Sequence, residues 1–197
     1  RPRRGVVRLN GEPIEIRSPE DAIKLGMGYL TEDRKAQGLC LGLSAKDNLA
    51  GPSLKRFASP LGLLRDNRIV SFAGEMIERF NIMTPSIEQE VFSLSGGNQQ
   101  KVLLGMWIGI EPRVLIADEP TRGVDVGAKE EIYSHLRALA GRGTAIMLIS
   151  SDLREILGMC DRVCIMRGGR IVAAMPVSEA TEEKILSHAL GLGDTAV

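Results

Sequence analysis

Apolar positions along the chain read as short strands at its opening, recur with helical spacing in the middle, and then alternate between strand and helix patterns, which outlines the elements. Gly5 to Leu9 and Pro13 to Ile16 read as short strands around Asn10-Gly11, a dipeptide that accepts the positive φ angles of a tight hairpin turn. Ser18-Pro19 opens a short helix through Asp21, Ala22, Ile23 and Leu25, and Gly26 ends it. Met27 to Thr31 is expected to be a short buried strand. The polar run Glu32 to Gly38 is expected to be loop. From Ser44 to about Gly109 the pattern is helical. Ser44 with Asp47 resembles a capping box. Val70, Ala73, Ile77 and Phe80 share one face of a helix over Asp66 to Phe80, and Asn98 to Ile110 forms another. Leu61 to Leu64 is loop or short helix.

Beyond Glu111-Pro112 strands and helices alternate. Arg113 to Ala117 is a buried strand, and Val126 to Ala140 is a helix stopped by Gly141 and Gly143. Thr144 to Ile149 is the next strand and Leu153 to Met159 a short helix. Val163 to Met166 and Arg170 to Ala174 form a hairpin around Gly168-Gly169. Thr181 to Leu190 closes the chain as a helix capped by Gly191. Alternation at these lengths predicts an α/β fold, a mainly parallel sheet with flanking helices. The helical stretch over residues 39–109 reads as an inserted subdomain, between a first part of the core (1–38) and the rest of it (110–197). No internal repeat or low-complexity segment interrupts the pattern.

Composition narrows the classes. Of 197 residues 44% are hydrophobic and 25% charged, with Lys plus Arg equal to Asp plus Glu. That balance excludes disorder and gives no support to a nucleic-acid partner, which needs a basic face. Arg1, Arg3 and Arg4 form the one local basic cluster and read as a solvated terminus. The apolar runs Val114 to Ala117 and Ala145 to Ile149 fall far short of the ~20 residues of a membrane helix, and no basic-then-apolar leader opens the chain. A soluble, cytosolic domain is expected. Cys40, Cys160 and Cys164 are too few for a disulfide framework and lack zinc-site spacing, so they are expected to be reduced and mostly buried. His135 and His188 stand alone and read as surface or satisfied core residues.

Two motifs carry chemistry. In Val114-Leu115-Ile116-Ala117-Asp118-Glu119-Pro120 an apolar strand runs into adjacent carboxylates. Ligands of parallel sheets sit at such strand ends. Asp118 could hold Mg²⁺ bound to nucleotide phosphates, as in a Walker B motif, and Glu119 could orient and polarise an attacking water. The plainer alternative is a strand that ends in a solvated acidic turn. Leu94-Ser95-Gly96-Gly97-Asn98-Gln99-Gln100-Lys101 opens a helix. Two glycines let a phosphate approach the backbone, the helix start offers free N–H groups, and Ser95 adds a hydroxyl. The plainer alternative here is an N-cap after a glycine-rich turn.

Together and in this order the two motifs resemble the signature and Walker B pair of ABC ATPases, and the resemblance covers essentially the whole chain. Asp118-Glu119-Pro120-Thr121-Arg122-Gly123-Val124-Asp125-Val126-Gly127-Ala128-Lys129 resembles Walker B running into the D-loop. SGGNQQK with DEPTRGVDVGAK is similar to the ribose, galactose and arabinose type of importer ATPase, in which one polypeptide carries two ABC domains. Thr31 to Lys35 and Ile149 to Leu153 resemble the second of these more than the first.

No G-x-x-x-x-G-K-[ST] string occurs in the chain; Gly123 to Lys129 has the wrong spacing and place. The resemblance therefore implies that the chain begins just downstream of the phosphate-binding loop and the first strand, and that by itself it is inactive. It also implies cofactors, ATP and Mg²⁺, and roles. Ser95, Gly96 and Gly97 would contact a nucleotide held by the partner domain, whereas Glu32, Asp118, Glu119 and Ser151 would line this domain's own site, with Asp118 at the metal and Glu119 and Ser151 catalytic; Gln99 and Asp125 would also bind nucleotide. Glu32 stands where the family usually has Gln, and Ser151 stands where it usually has His. Serine cannot titrate near neutral pH as an imidazole does, and such changes mark a degenerate half; the plainer alternative is that Ser151 satisfies a local backbone group.

The implied partners are a second ABC domain in the same polypeptide, transmembrane permease subunits and, indirectly, a periplasmic or extracellular sugar-binding protein. The chain would then sit in the cytoplasm on the inner face of the membrane. Leu54, Phe57, Leu61, Leu63 and Leu64 form a patch for the membrane subunits or pack inside the helical subdomain; both readings are open. Alternatives are an ABC ATPase acting on nucleic acid or ribosomes, and a non-catalytic regulatory domain.

Overall fold

The computed structural model describes residues 5–192 and divides at the Met147/Leu148 boundary into two compact units. The Arg1, Arg3 and Arg4 cluster lies outside the described residues. In the first unit β1 (Val7–Leu9) pairs antiparallel with β2 (Glu12–Ile14), Val7 opposite Ile14. Asn10 (φ 53°) and Gly11 (φ 85°) make the turn between them, the left-handed pair that an Asn-Gly hairpin uses. Helix α1 (Pro19–Lys24) is capped by Ser18, whose Oγ accepts from the Asp21 N–H at 3.1 Å.

Strand β3 (Met27–Leu30) runs parallel to β4 (Val114–Asp118), Met27 opposite Val114 and Leu30 opposite Ala117. The third strand of this sheet, β5 (Ala145–Ile149), follows β4 in the order β3-β4-β5. Two expectations change here. Strand β3 buries Gly28 and Leu30 but turns Tyr29 outward, because alternate side chains leave opposite faces of a strand. The segment after it is not irregular: Arg34–Gly38 forms one π-helical turn, started by the Asp33 carboxylate accepting from the N–H groups of Lys35 and Ala36. A single side-chain cap carries no periodicity, which is why the pattern of apolar residues does not reveal it.

Helices α2 (Ala45–Ala50), α3 (Leu54–Phe57), α4 (Asp66–Arg79) and α5 (Gly96–Ile108) follow. Ser44 caps α2, its Oγ accepting from the Asp47 N–H at 3.0 Å and donating to Asp47 Oδ2 at 2.7 Å. The return bond of the box thus lands on the serine hydroxyl. Helix α5 is buried nearly all round, with Val102, Leu103 and Leu104 fully enclosed beside Leu49 of α2 and Phe80 after α4. Such a helix reads as apolar along its whole middle rather than as a stripe. Lys101 of α5 is also buried; its Nζ donates to the Asn81 carbonyl at 3.1 Å and pairs with Glu131. Helix α6 (Val126–Ala140) carries that carboxylate and buries Ala128, Ile132, Leu136 and Leu139.

The apolar patch splits. Phe57 is buried with Ala50 and Ile69 and packs on Phe72, ring centroids 5.3 Å apart. Leu54, Leu61, Leu63 and Leu64 are exposed.

The second unit holds α7 (Leu153–Met159), the antiparallel hairpin β6 (Arg162–Arg167) and β7 (Arg170–Pro176), and α8 (Glu182–Leu190). Gly168 (φ 56°) and Gly169 (φ 76°) supply the hairpin turn. Val163, Ile165 and Ile185 form its core, covered by Leu153, Ile156, Met175 and Val177 among others. The cysteines are free but not mostly buried: Cys40 and Cys164 are exposed and Cys160 is half-buried. Cys164 alternates outward on β6 between the core residues Val163 and Ile165. Burial pushes the Cys160 thiol above its usual range, and the carboxylates of Glu155 and Asp161 push it the same way.

Candidate functional site

The carboxylate pair sits at the C-terminal end of β4. From the neighbouring strand β3, the Tyr29 hydroxyl donates to Asp118 Oδ2 at 3.0 Å, engaging one of the two carboxylate oxygens. Burial first, and then this bond to an acceptor, raises the phenol above its usual value, so it stays a donor at neutral pH. Glu119 has φ 47°, a left-handed conformation that a residue with a β-carbon enters only under constraint. The constraint lies on either side of it. Ahead is the strand; behind, Pro120 is fully buried and its carbonyl accepts from Gln100 Nε2 of α5 at 2.7 Å. The strand therefore leaves the sheet through a fixed turn, closed by the Arg122 N–H donating to the Glu119 carbonyl at 3.1 Å.

Facing this turn are two helix starts. Ser95 caps α5, its Oγ accepting from Asn98 N at 3.4 Å and Asn98 Nδ2 at 3.0 Å. Asp125 caps α6, its Oδ1 accepting from the Ala128 N–H at 3.0 Å. They lie close together: a β-carbon at Gly97 would meet Asp125 Oδ2 and the Ala128 methyl, each at 3.5 Å. Those are ordinary contacts with side-chain atoms of the α6 start, so the two helix starts stand side by side. The Arg34 guanidinium lies over Gly96, and Arg34 Nη1 donates to the Arg122 carbonyl at 3.0 Å. Glu32 forms an ion pair with the Arg122 side chain.

The structure thus brings Glu32, Ser95, Gly96, Gly97 and Asp125 around one turn, with Asp118 and Glu119 at its head. Gln99 is placed differently. It is buried, and its Nε2 donates to the Val91 carbonyl at 3.1 Å rather than reaching the exposed Ser95. Ser151 lies in the second unit, exposed in the turn before α7, where the Asp152 N–H donates to Ser150 Oγ at 3.0 Å. Three residues escape a reading by motif alone: Tyr29, Arg34 and Gln100. Arg34 and Gln100 stand inside the quoted motifs, but only the folded chain gives them their partners.

An acidic pair at the end of a parallel strand, set against a glycine-rich helix start, is the arrangement of α/β domains that handle phosphate groups. A family profile described as ABC transporter matches residues 1–122, more than half of the chain, and the chain belongs to that family. It is 51% identical to the ribose import ATP-binding protein RbsA of Lactococcus lactis subsp. cremoris over 187 residues, covering 95% of this chain and 38% of that protein. The Bacillus subtilis protein of the same name is 48% identical, again covering 95% of this chain and 38% of its own length. A putative ribose/galactose/methyl galactoside import ATP-binding protein of Halalkalibacterium halodurans is 45% identical over 95% of this chain and 36% of its own. The chain therefore spans well under half the length of these relatives.

Solved structures share the fold. A dimeric ATP-binding cassette in a post-hydrolysis state bound to ADP and Pi superposes with a TM-score of 0.75 at 17% identity, over 89% of this chain and 75% of that one. The ADP conformation of another ABC transporter cassette gives 0.75 at 20% identity, over 96% and 78%. Among the described residues no helix is long and apolar enough to cross a membrane.

Proposed function

We propose that this chain is part of the ATP-binding component of a monosaccharide importer and that it serves a nucleotide held mainly by a partner ABC domain. The observation that carries the reading is the 51% identity to a ribose import ATP-binding protein along 95% of the chain. In this reading residues 39–109 are the helical subdomain, inserted between core segments 1–38 and 110–197. The partners are a second ABC domain of the same polypeptide, the permease subunits and, through them, a sugar-binding protein, with the chain on the cytoplasmic face of the membrane.

The residues present fit a nucleotide with its cation. The start of α5 is exposed at Ser95 and flanked by glycines, so unpaired N–H groups and the positive end of the helix dipole face outward. Among the described residues no group of three or more His, Cys, Asp or Glu converges. This suits Mg²⁺, which takes one or two carboxylates and completes its shell from phosphate oxygens and water. Asp118 would hold that ion, and the ion would supply neutralising charge to the phosphates.

The rest falls to the protein. Ser95, Gly96 and Gly97 present hydroxyl and backbone donors to the phosphate bound by the partner, stabilising charge in trans. Tyr29 orients Asp118, and the Glu119 turn aims that carboxylate off the strand end, where it can accept a proton from water. Glu32, in place of a glutamine, makes this domain's own site the weaker of the pair, and Ser151, in place of a histidine, has no group that titrates near neutral pH. Gln99 would act from inside α5 by fixing Val91 rather than by touching nucleotide. Equal numbers of acidic and basic residues speak against a nucleic-acid-directed ATPase, which draws its affinity from cationic contacts to phosphates.

Ser95→Arg in the full-length protein, reconstituted with its permease, tests the proposal. A bulky cation at the helix start blocks phosphate approach, and ATP hydrolysis and sugar uptake should both drop about a hundredfold, the scale of losing a preorganised charge-stabilising group. Unchanged hydrolysis and uptake would refute the role in trans.

A further inference from the structure

The Arg34 side chain does more than cover a surface. Its Nη1 donates to the Arg122 carbonyl at 3.0 Å. A β-carbon at Gly96 would lie 2.9 Å from its Nη2, and one at Gly123 would lie 3.7 Å and 3.8 Å from Nη1 and Nη2. The planar guanidinium is therefore inserted between the glycine at the start of α5 and the glycine of the loop after β4. Gly123 is itself left-handed, at φ 68°. The Arg34 Nε is buried without a hydrogen-bond partner, a cost accepted for this placement. Two residues upstream, Glu32 pairs with the Arg122 side chain. The segment just after β3 thus grips residue 122 twice, once by its side chain and once by its main chain, while pressing on Gly96.

We propose that Arg34 is a positioning residue: a clamp that sets the spacing between the Gly96 helix start and the Gly123 loop, and so presents the Ser95-Gly96-Gly97 donors at a fixed place. The clamp works through shape as well as charge. Guanidinium is flat, always charged and offers donors along one edge, so it can lie against two glycines and still bond a carbonyl. Ammonium is a compact, strongly hydrated point charge and cannot do both. A methyl at Gly96 would displace the guanidinium from its seat, since it would fall 2.9 Å from Nη2, whereas at Gly123 it is the positive φ of 68° that favours glycine. The functional half of this proposal rests on the ATPase reading above; the structural half does not.

Hydrogen exchange on the full-length protein, without nucleotide, tests the structural half in wild type, Arg34→Lys, Arg34→Ala and Lys35→Ala. Loss of a charge-assisted bond that bridges two loops should raise exchange about tenfold or more in both 95–98 and 121–125, and leave β4 (114–118) unchanged. Lysine should fail to restore protection, and the neighbouring Lys35→Ala should match wild type. Faster exchange in only one segment, or full rescue by lysine, overturns the clamp. If Arg34→Ala does not fold, Arg34→Lys alone decides between these outcomes.

ATP hydrolysis by the same preparations tests the second half. The kcat of Arg34→Lys should fall about tenfold at an unchanged melting temperature, as expected when phosphate donors are misplaced by a fraction of an ångström. Loosened loops with wild-type kcat would overturn the positioning role. Wild-type protein that hydrolyses no ATP, with the exchange pattern as expected, would sink the ATPase reading and leave the clamp standing.

Discussion

Helix α5 carries a glycine, Gly105, in the middle of its most enclosed stretch, and replacing it by alanine sets two known effects against each other. Alanine in place of an interior helical glycine gains about 1 kcal/mol from backbone entropy and propensity. Against this, the new methyl would lie 3.0 Å from Leu49 Cδ2 and 3.2 Å from Phe80 Cδ2. Leu49 and Phe80 are each 0% exposed, so neither can yield without moving its own neighbours. Overpacking of this kind costs about 1–3 kcal/mol, and the net effect should be a loss of roughly 1 kcal/mol. Gly74, inside α4, is the matched control, because a β-carbon there meets nothing within 4 Å. Gly74→Ala should gain roughly 0.5–1 kcal/mol. The single tryptophan, Trp107, lies in α5 and reports unfolding of the first unit. With a urea m-value of about 2 kcal/mol per molar, Gly105→Ala should lower the midpoint by about 0.5 M and Gly74→Ala should raise it by somewhat less. A Gly105→Ala midpoint at or above wild type would refute the argument that close helix packing, rather than chance, keeps glycine there.

Two further predictions concern the charged groups around that core. Lys101→Met keeps the aliphatic stem but removes the donor to the Asn81 carbonyl and the partner of Glu131; the glutamate side chain is 40% exposed and can rehydrate, so urea melts should show a loss of about 1–3 kcal/mol, below that of a fully buried pair. His135 packs on the Phe80 ring, centroids 4.5 Å apart, and burial first, then Arg79 and Lys101, depress its pKa, with Glu131 opposing. A depressed imidazole contributes stability that is present above its unfolded value of about 6.5 and is lost as pH falls through the folded value. Wild type should therefore lose stability relative to His135→Phe between pH 7.5 and 5.5 in parallel urea titrations, and a constant difference would refute it.

Most elements are legible in the sequence because their signals are local. The Asn10-Gly11 turn, the serine caps at Ser18 and Ser44, the glycine stops at Gly26 and Gly191, and the α6 and α7 spans each depend on a few neighbouring residues. The strand-end carboxylates and the glycine-rich helix start are legible for the same reason. What tertiary structure alone decided is which residues, distant in sequence, share a contact. Tyr29 reaches Asp118 because β3 and β4 are parallel and in register, and no periodicity states that pairing. Cys164 is exposed and Val163 buried because a helix covers one face of the β6–β7 hairpin and not the other. Gln99 turns inward although it stands in a binding motif, since the rotation of α5 about its own axis is set by packing on Leu49 and Phe80. Arg34 reads from the sequence as one polar residue in a polar stretch. The fold sets it between Gly96 and Gly123, because chain segments far apart in sequence meet only once the sheet and α5 have packed.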